Sequence, residues 1–272
     1  LVPTPIGNLS DMTERAVGIL RQVDLIAAED TRHTRILLNH FQISGHVVSY
    51  HEHNKKESGN KLIEALKSGR SVAQCSDAGM PVISDPGSDL VRLAIEAKIP
   101  VVPLPGPNAA LTALIASGLN ARQFAFIGFL PKINAKKKKL LFDMSHIPVT
   151  LIFYEAPHRI VDSLADMVMI FGENRIATLC RELTKTFETV KKLPLNQLYE
   201  FVKNDLYQQK GEIVLVVAGN TKKTIVCDYD DWLLRIAKDL PPKKAAAIIS
   251  DVLKLKKSDV YQRYLELHDK KQ

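Results

Sequence analysis

A chain of 272 residues that is 46% hydrophobic and 25% charged can bury a sizeable core and reads as soluble and globular, with two domains expected rather than one. It shows no apolar run long enough to span a bilayer and no secretory leader, and its three cysteines, Cys75, Cys180 and Cys227, are odd in number and far apart, which excludes a disulfide framework and a CxxC metal knuckle. A reducing cytoplasm is the expected compartment, and the net charge of +7 with a pI near 9.2 raises the prior for a polyanionic partner.

Taken in order, apolar strands alternate with helices, the pattern of parallel sheets built from βαβ units. Leu1-Val2 is an apolar start that leads into the turn Thr4-Pro5-Ile6-Gly7-Asn8 and then a helix signalled by Asp11 and Glu14 in capping-box spacing. With no initiator Met before Leu1, the natural N-terminus is expected to lie upstream. Asp24–Ala28 reads as a buried strand, Thr31–Phe41 as a helix, Val47–Tyr50 as a strand and Lys55–Ser68 as a helix ended by Gly69.

The strand at Ser71–Cys75 runs into the turn around which the chain is organised, Ser76-Asp77-Ala78-Gly79-Met80-Pro81-Val82-Ile83-Ser84-Asp85-Pro86-Gly87. Gly79 can take backbone angles closed to other residues, while Asp85 and Pro86 read as the cap and first position of the next helix. Asp77 is left over: it is either an ordinary Asx turn or a carboxylate that holds hydroxyls or an ammonium group. A third such turn, Pro103-Leu104-Pro105-Gly106-Pro107-Asn108, follows Val101-Val102 and opens a helix that Gly118 stops. Three Pro/Gly turns at strand carboxyl ends predict one shared crevice, since open α/β sheets bind ligands there.

After a linker at Asn120–Gln123 come strands at Phe124–Phe129, Thr150–Tyr154 and Ile176–Arg181, a helix at Arg159–Phe171 and a fully buried strand at Glu212–Val217. Lys132 and Lys136 to Lys139 place five positive charges and no acid in eight residues, either a solvated helix face or a contact to a polyanion. The tail reads as three short helices, Asp230–Asp239, Lys243–Leu253 and Ser258–His268, and from Pro241 onward carries eight Lys/Arg against four Asp/Glu. It fits an RNA-touching module and a packing or dimer module equally.

No GxGxxG, GxxxxGK, GxSxG or HExxH signature is present, which argues against Rossmann dinucleotide enzymes, P-loop NTPases, α/β-hydrolases and zinc proteases. His51-Glu52-His53 lacks a third ligand at metal spacing, so no metal is expected and the loop is assigned to the cleft. Glu29-Asp30-Thr31-Arg32-His33 gathers two carboxylates, a guanidinium and an imidazole at a strand end. Asp30 or Thr31 can cap the next helix with Arg32 neutralising a neighbour, which leaves Glu29 and His33 as general-base candidates. Tyr154-Glu155 and Arg181-Glu182 close later strands, with Lys185 beyond them.

Eight stretches in order, Val2–Leu9, Ala28–Thr34, Ser76–Gly79, Asp85–Gly87, Pro103–Pro107, Gly128–Pro131, Phe153–Glu155 and Arg181–Lys185, resemble the bacterial 16S ribosomal RNA cytidine 2′-O-methyltransferases of the tetrapyrrole-methylase-like superfamily. The resemblance covers nearly the whole chain. It implies two parallel-sheet α/β domains, 1–120 and 121–225, with a cofactor cleft between them, and a helical module at 226–272. It implies S-adenosylmethionine held at Pro5, Gly7, Asp77, Gly79, Met80, Asn108, Ala109, Ala110 and Tyr154, and methyl transfer to the ribose 2′-hydroxyl of a decoding-centre cytidine in the small ribosomal subunit. Glu29 or His33 would take the proton, with Arg32 beside them. Arg32, His51, His53, Lys132, Lys136, Lys137, Arg181 and Lys185 would hold RNA, and a homodimer is expected. A relative acting on a small tetrapyrrole would share the cofactor turns without needing the basic segments.

Overall fold

The computed structural model describes residues 1–84, 87–220, 229–253 and 255–269. Its contacts divide into two compact units, Leu1–Gly219 and Asn220–Gln272. The first unit opens with α1 (Glu14–Gln22), β1 (Leu25–Ala28), α2 (Thr31–His40), β2 (Val47–Ser49), α3 (Lys55–Lys67), β3 (Val72–Cys75), α4 (Ser88–Glu96) and α5 (Ala109–Ala116). The three strands form a parallel sheet ordered β2-β1-β3. Leu1-Val2 and Val101-Val102, read as strand segments from their apolar content, are not strands of this sheet and are tied to it by a few backbone hydrogen bonds. Val2 N–H donates to Gln74 O at 2.9 Å and Leu104 N–H to Leu1 O at 3.0 Å.

Local chemistry moves two helix starts. Thr13, not Asp11, caps α1, because its Oγ1 accepts the Ala16 amide at 3.1 Å; a short 3₁₀ turn takes up Leu9–Asp11 first. At α4 the cap position belongs to Gly87, with φ 137°, while Asp85 and Pro86, read as cap and first helical residue, lie outside the described residues.

The unit continues with β4 (Phe124–Phe129), α6 (Asn134–Met144), β5 (Thr150–Glu155), α7 (Ile160–Phe171), β6 (Ile176–Arg181), β7 (Thr189–Pro194), α8 (Leu195–Asn204) and β8 (Ile213–Val217). The second sheet, ordered β4-β5-β8-β6-β7, corrects the expectation of parallel pairing throughout. Only β4 and β5 run parallel; β8 is antiparallel to both β5 and β6, and β7 to β6. The cause is the short link of residues 182–188 after β6. A parallel neighbour needs a crossover of roughly a dozen residues or more, so the chain turns back as β7, and β8 then descends between β5 and β6.

Strand alternation gives the second sheet two apolar faces. Leu151, Phe153, Leu179, Leu215 and Val217 point to one side, onto α7 and α8. Ile152, Cys180, Val214 and Val216 point to the other, where they meet Ile6 and the α5 residues Ala110, Ala113 and Leu114. The first half of the chain thus supplies the cover for the second sheet, which fixes the two sets of strand ends against each other. In the second unit, α9 (Asp230–Asp239), α10 (Pro242–Leu253) and α11 (Lys257–Asp269) close around Leu233, Ala245, Ala246, Ile249 and Val260. Arg263 clamps Asp230 with Nε–Oδ1 and Nη2–Oδ2 contacts of 3.0 and 2.6 Å.

Candidate active site

The three Pro/Gly turns converge. Thr4 and Gly79 exchange both backbone hydrogen bonds, at 2.9 and 3.0 Å, so the first and second turns are joined main chain to main chain. Thr4 Oγ1 donates to Ser76 O at 3.1 Å, and Ser76 Oγ to Gly79 O at 3.1 Å. Gly79 sits at φ 82°, where a side chain is strained, and an added Cβ would press to 3.2 Å from Ile6 Cγ2. The third turn ends at Asn108, which caps α5 by accepting the Leu111 amide at 2.9 Å.

These turns form one wall of a cavity of about 430 Å³, a size usual for small-molecule sites. Ile6, Glu29, Asp77, Gly79, Met80, Asn108 and Ala109 line it from the first half of the chain, and Phe129, Tyr154, Glu155, Leu183, Glu212 and Val214 from the second. Of the residues assigned to a cofactor from sequence, Asp77, Gly79, Met80, Asn108, Ala109 and Tyr154 are on the wall. Pro5, Gly7 and Ala110 are not: Ile6 between the first two is the lining residue, and Ala110 is buried in the core beneath. Gly7 has another duty, since a Cβ there would meet Lys185 Cγ at 2.5 Å.

The wall carries two carboxylates close together. Asp77 Oδ1 accepts the Asp30 amide at 3.0 Å, which ties the end of β3 to the end of β1. Burial, and then the charge of Asp77, raises the Glu29 carboxyl against an opposing effect from His51, with Asp30 adding the smallest push. Glu29 therefore holds a proton more readily than an ordinary glutamate, a kind of perturbation that gathers at functional sites.

Its neighbours are otherwise engaged. Asp30 caps α2 by accepting the Arg32 amide at 2.8 Å and is gripped by the Arg32 side chain through Nε at 3.1 Å and Nη2 at 2.8 Å, which holds its carboxyl far below the usual range. His33 is exposed on α2 and does not line the cavity, so of the two base candidates only Glu29 faces it. His51 is half-buried, its backbone amide donating to Asn54 Oδ1 at 2.8 Å, and His53 is exposed with its ring centroid 6.0 Å from that of His51. Among the described residues no group of three or more His, Cys, Asp or Glu could hold a metal ion.

Several cations assigned to RNA are committed to the protein. Lys137 is buried within the lysine run, with Nζ 2.7 Å from Asp166 Oδ2, because α6 turns that one position inward while Lys136 and Lys139 stay exposed. Arg181, 8% exposed, donates to Gln208 Oε1, Phe187 O and Thr189 Oγ1 and so braces the link from β6 to β7. Lys185 bridges Glu182 at 2.8 Å and Glu212 at 2.9 Å. Lys132 remains exposed.

Glu155, which closes β5, lines the opposite wall as its position at a strand end predicts, whereas Glu212 and Val214 were missed as lining residues for a topological reason. Ligand sites are sought at strand carboxyl ends, but β8 runs antiparallel and brings its amino end to the cavity, Ile213 pairing with Glu155 on one side and Arg181 on the other. Gly211, at φ 79°, makes that entry. Cys180, also on the wall, donates weakly to Ala113 O at 3.8 Å, and burial pushes its thiol up to about 12, which makes it a packing residue.

A fold of this kind, with a cavity where backbone turns meet paired carboxylates, belongs to a recognisable class of enzyme. Residues 1–199 match the model of the Tetrapyrrole (Corrin/Porphyrin) Methylases, and the chain belongs to that family; it is a methyltransferase. Residues 226–268 match the RsmI C-terminal HTH domain.

The chain is similar to ribosomal RNA small subunit methyltransferases of several bacteria. It is 47% identical over 268 residues, 98% of this chain and 94% of the relative, to the ribosomal RNA small subunit methyltransferase I of Escherichia coli O157:H7. It is 52% identical over 223 residues, 82% of this chain and 76% of the relative, to the protein of the same name in Halalkalibacterium halodurans. Among solved structures, the uroporphyrin-III-C-methyltransferase of Thermus thermophilus shares the fold with a TM-score of 0.56 at 21% identity, over 80% of this chain and 92% of that one.

Proposed function

We propose that this protein transfers a methyl group from S-adenosylmethionine to the 2′-hydroxyl of a cytidine ribose in 16S ribosomal RNA, acting in the cytoplasm on the small ribosomal subunit. The observation that carries the reading is the cavity in which three backbone turns face Glu29, in a chain related along almost its full length to ribosomal RNA small subunit methyltransferases.

The residues present suit the methyl donor. Gly79, Met80, Asn108 and Ala109 offer main chain at close range, Ile6, Leu183 and Val214 offer apolar surface, and Asp77 with Glu29 offers negative charge to a cationic ligand. When bound, S-adenosylmethionine supplies an activated methyl on a sulfonium, so the protein's tasks are orientation and proton removal. Holding the reacting groups in line can contribute up to roughly 7–11 kcal/mol in favourable cases. A ribose hydroxyl gives up its proton reluctantly, and Glu29, whose carboxylate is made more basic by burial and by Asp77, receives it.

The RNA contacts we assign are Lys132, Lys136, His53 and the exposed Lys256 and Lys257 of the helical module, with Arg32 holding Asp30 in place. We also propose a homodimer; Leu111 and Ile115 on the outer face of α5 are 46% and 78% exposed and offer an apolar patch for a second copy. The functional division at 1–120, 121–225 and 226–272 is kept as part of this reading.

The test is incubation with radiolabelled S-adenosylmethionine and small subunits from cells lacking the enzyme, followed by mass spectrometry of 16S fragments. One ribose methyl on one cytidine is the expected result. Cofactor binding without labelled RNA would move a small tetrapyrrole-like substrate to the front, and no cofactor binding would overturn the site itself.

A further inference from the structure

Beside the cavity lies a second, wider crevice of about 920 Å³, walled by the link from β4 to α6 on one side and by the turn after β5 and the start of α7 on the other. The two hollows share Phe129 and Ala156. A molecule lying across that shared lip has one end in each. Phe129 is 57% exposed and is held edge-on by Tyr154, with ring centroids 5.4 Å apart, while Tyr154 rests in turn on Phe126 at 5.0 Å. An exposed aromatic ring fixed from below is a platform for a flat partner.

The crevice is otherwise polar and of mixed charge. Arg159 donates to Leu130 O at 3.1 Å and to Pro131 O at 2.7 Å, which fixes the loop that carries Phe129 and Lys132. Asp166 is taken by Lys137 and Lys138. That leaves exposed Lys132 and His158 as donors, exposed Asn134 as donor or acceptor, and exposed Asp162 as the carboxylate acceptor on the lining.

We propose that this crevice receives the base and adjoining phosphate of the acceptor nucleotide itself: the pyrimidine stacks on Phe129, its exocyclic amine donates to Asp162, and the phosphate lies against Lys132 and His158. The inference rests on the reading that the substrate is a ribose hydroxyl of RNA. A ribose at the mouth of the cofactor cavity puts its own base within one nucleotide's length of the shared lip. A carboxylate selects a base bearing an amine over one bearing a carbonyl at the same place, because only the amine donates.

The test uses the full chain and small subunits lacking the methyl group, with the S-adenosylmethionine Kd measured in parallel by calorimetry and each variant's fold checked by thermal melting. Phe129→Ala is expected to raise KM for the subunit by roughly 5- to 100-fold, the scale of losing one stacked base, and Phe129→Trp to restore it. Asp162→Asn is expected to keep the cofactor Kd while losing discrimination between subunits carrying cytidine and those carrying uridine at the acceptor position. Lys132→Ala should reduce the salt dependence of subunit binding. If the wild type labels the RNA and all three variants keep wild-type KM and discrimination, the crevice is not the base site. If the wild type labels no RNA at all, the reading beneath the inference fails and takes the inference with it.

Discussion

Glu29 and Glu155 both stand at the end of a strand beside the same cavity, yet their surroundings have little in common. Glu155 is 2% exposed and fully engaged: Oε1 accepts the Ala156 amide at 2.8 Å, Oε2 accepts the Ser163 hydroxyl, and the Arg159 guanidinium lies 3.6 Å away. Glu29 has no cation in ion-pair reach among the described residues and faces a second carboxylate, Asp77. A buried carboxylate that is paired and hydrogen-bonded holds architecture together. One left without a counter-charge can move a proton, and the fold bears the cost of keeping it so.

That contrast can be broken at either end. The largest effect is expected from Glu29→Gln, which should lower the single-turnover methylation rate by about 10²- to 10⁴-fold, the contribution of a positioned base, with a smaller loss of cofactor affinity because Asp77 keeps its charge on the same wall. Its effect on stability has the opposite sign. A carboxyl raised on folding contributes stability below its unfolded pKa and loses it as pH rises through the folded value, so the Gln variant should melt higher than wild type at neutral pH. Glu155→Ala should instead cost about 3–5 kcal/mol of folding stability, because it strands the charge of Arg159. Denaturant titration separates the two cases.

A smaller loss, about 3 kcal/mol, is expected for Lys137→Ala, near the lower end for a broken buried pair because Lys138 stays 3.5 Å from Asp166. Lys136→Ala, one position earlier on the exposed face, should leave stability unchanged and weaken RNA binding in a salt-dependent way. Arg32→Ala should likewise leave stability close to that of the wild type. Its pair with Asp30 is solvent-exposed, so removing it changes stability little.

Much of this was legible in the residues. Strands β1 to β6 and β8 and most of the helices fall where apolar runs and periodicity put them, and the three Pro/Gly turns meet in one cavity as their positions at strand ends require. What stayed hidden depends on geometry that spacing does not carry. The strand Thr189–Pro194 contains Lys191 and Lys192 and lies at the sheet edge, so it lacks the apolar signature of a central strand. Its return reverses β8 and brings Glu212 and Val214 to the cavity from a strand's amino end.

Charge identity was equally silent about direction. Lys137 is indistinguishable from Lys136 in sequence, and only the rotation of α6 against Asp166 separates a buried pair from an exposed cation. Arg181 and Lys185 lie in a stretch that resembles a catalytic-domain motif, and both turn out to be held within the protein. By contrast Glu29 was separable from Asp30 by logic available in the sequence: a cap position and an adjacent Arg account for Asp30 and leave Glu29 over.

The pH dependence of single-turnover methyl transfer, measured on the wild type and on Glu29→Gln with saturating cofactor and subunit, tests this account most directly. The expected wild-type rate falls with decreasing pH through an apparent pKa above that of an ordinary glutamate, and the Gln variant is slow with no such limb. A Gln variant that keeps the wild-type rate, or the same acid limb, would show that Glu29 is not the base.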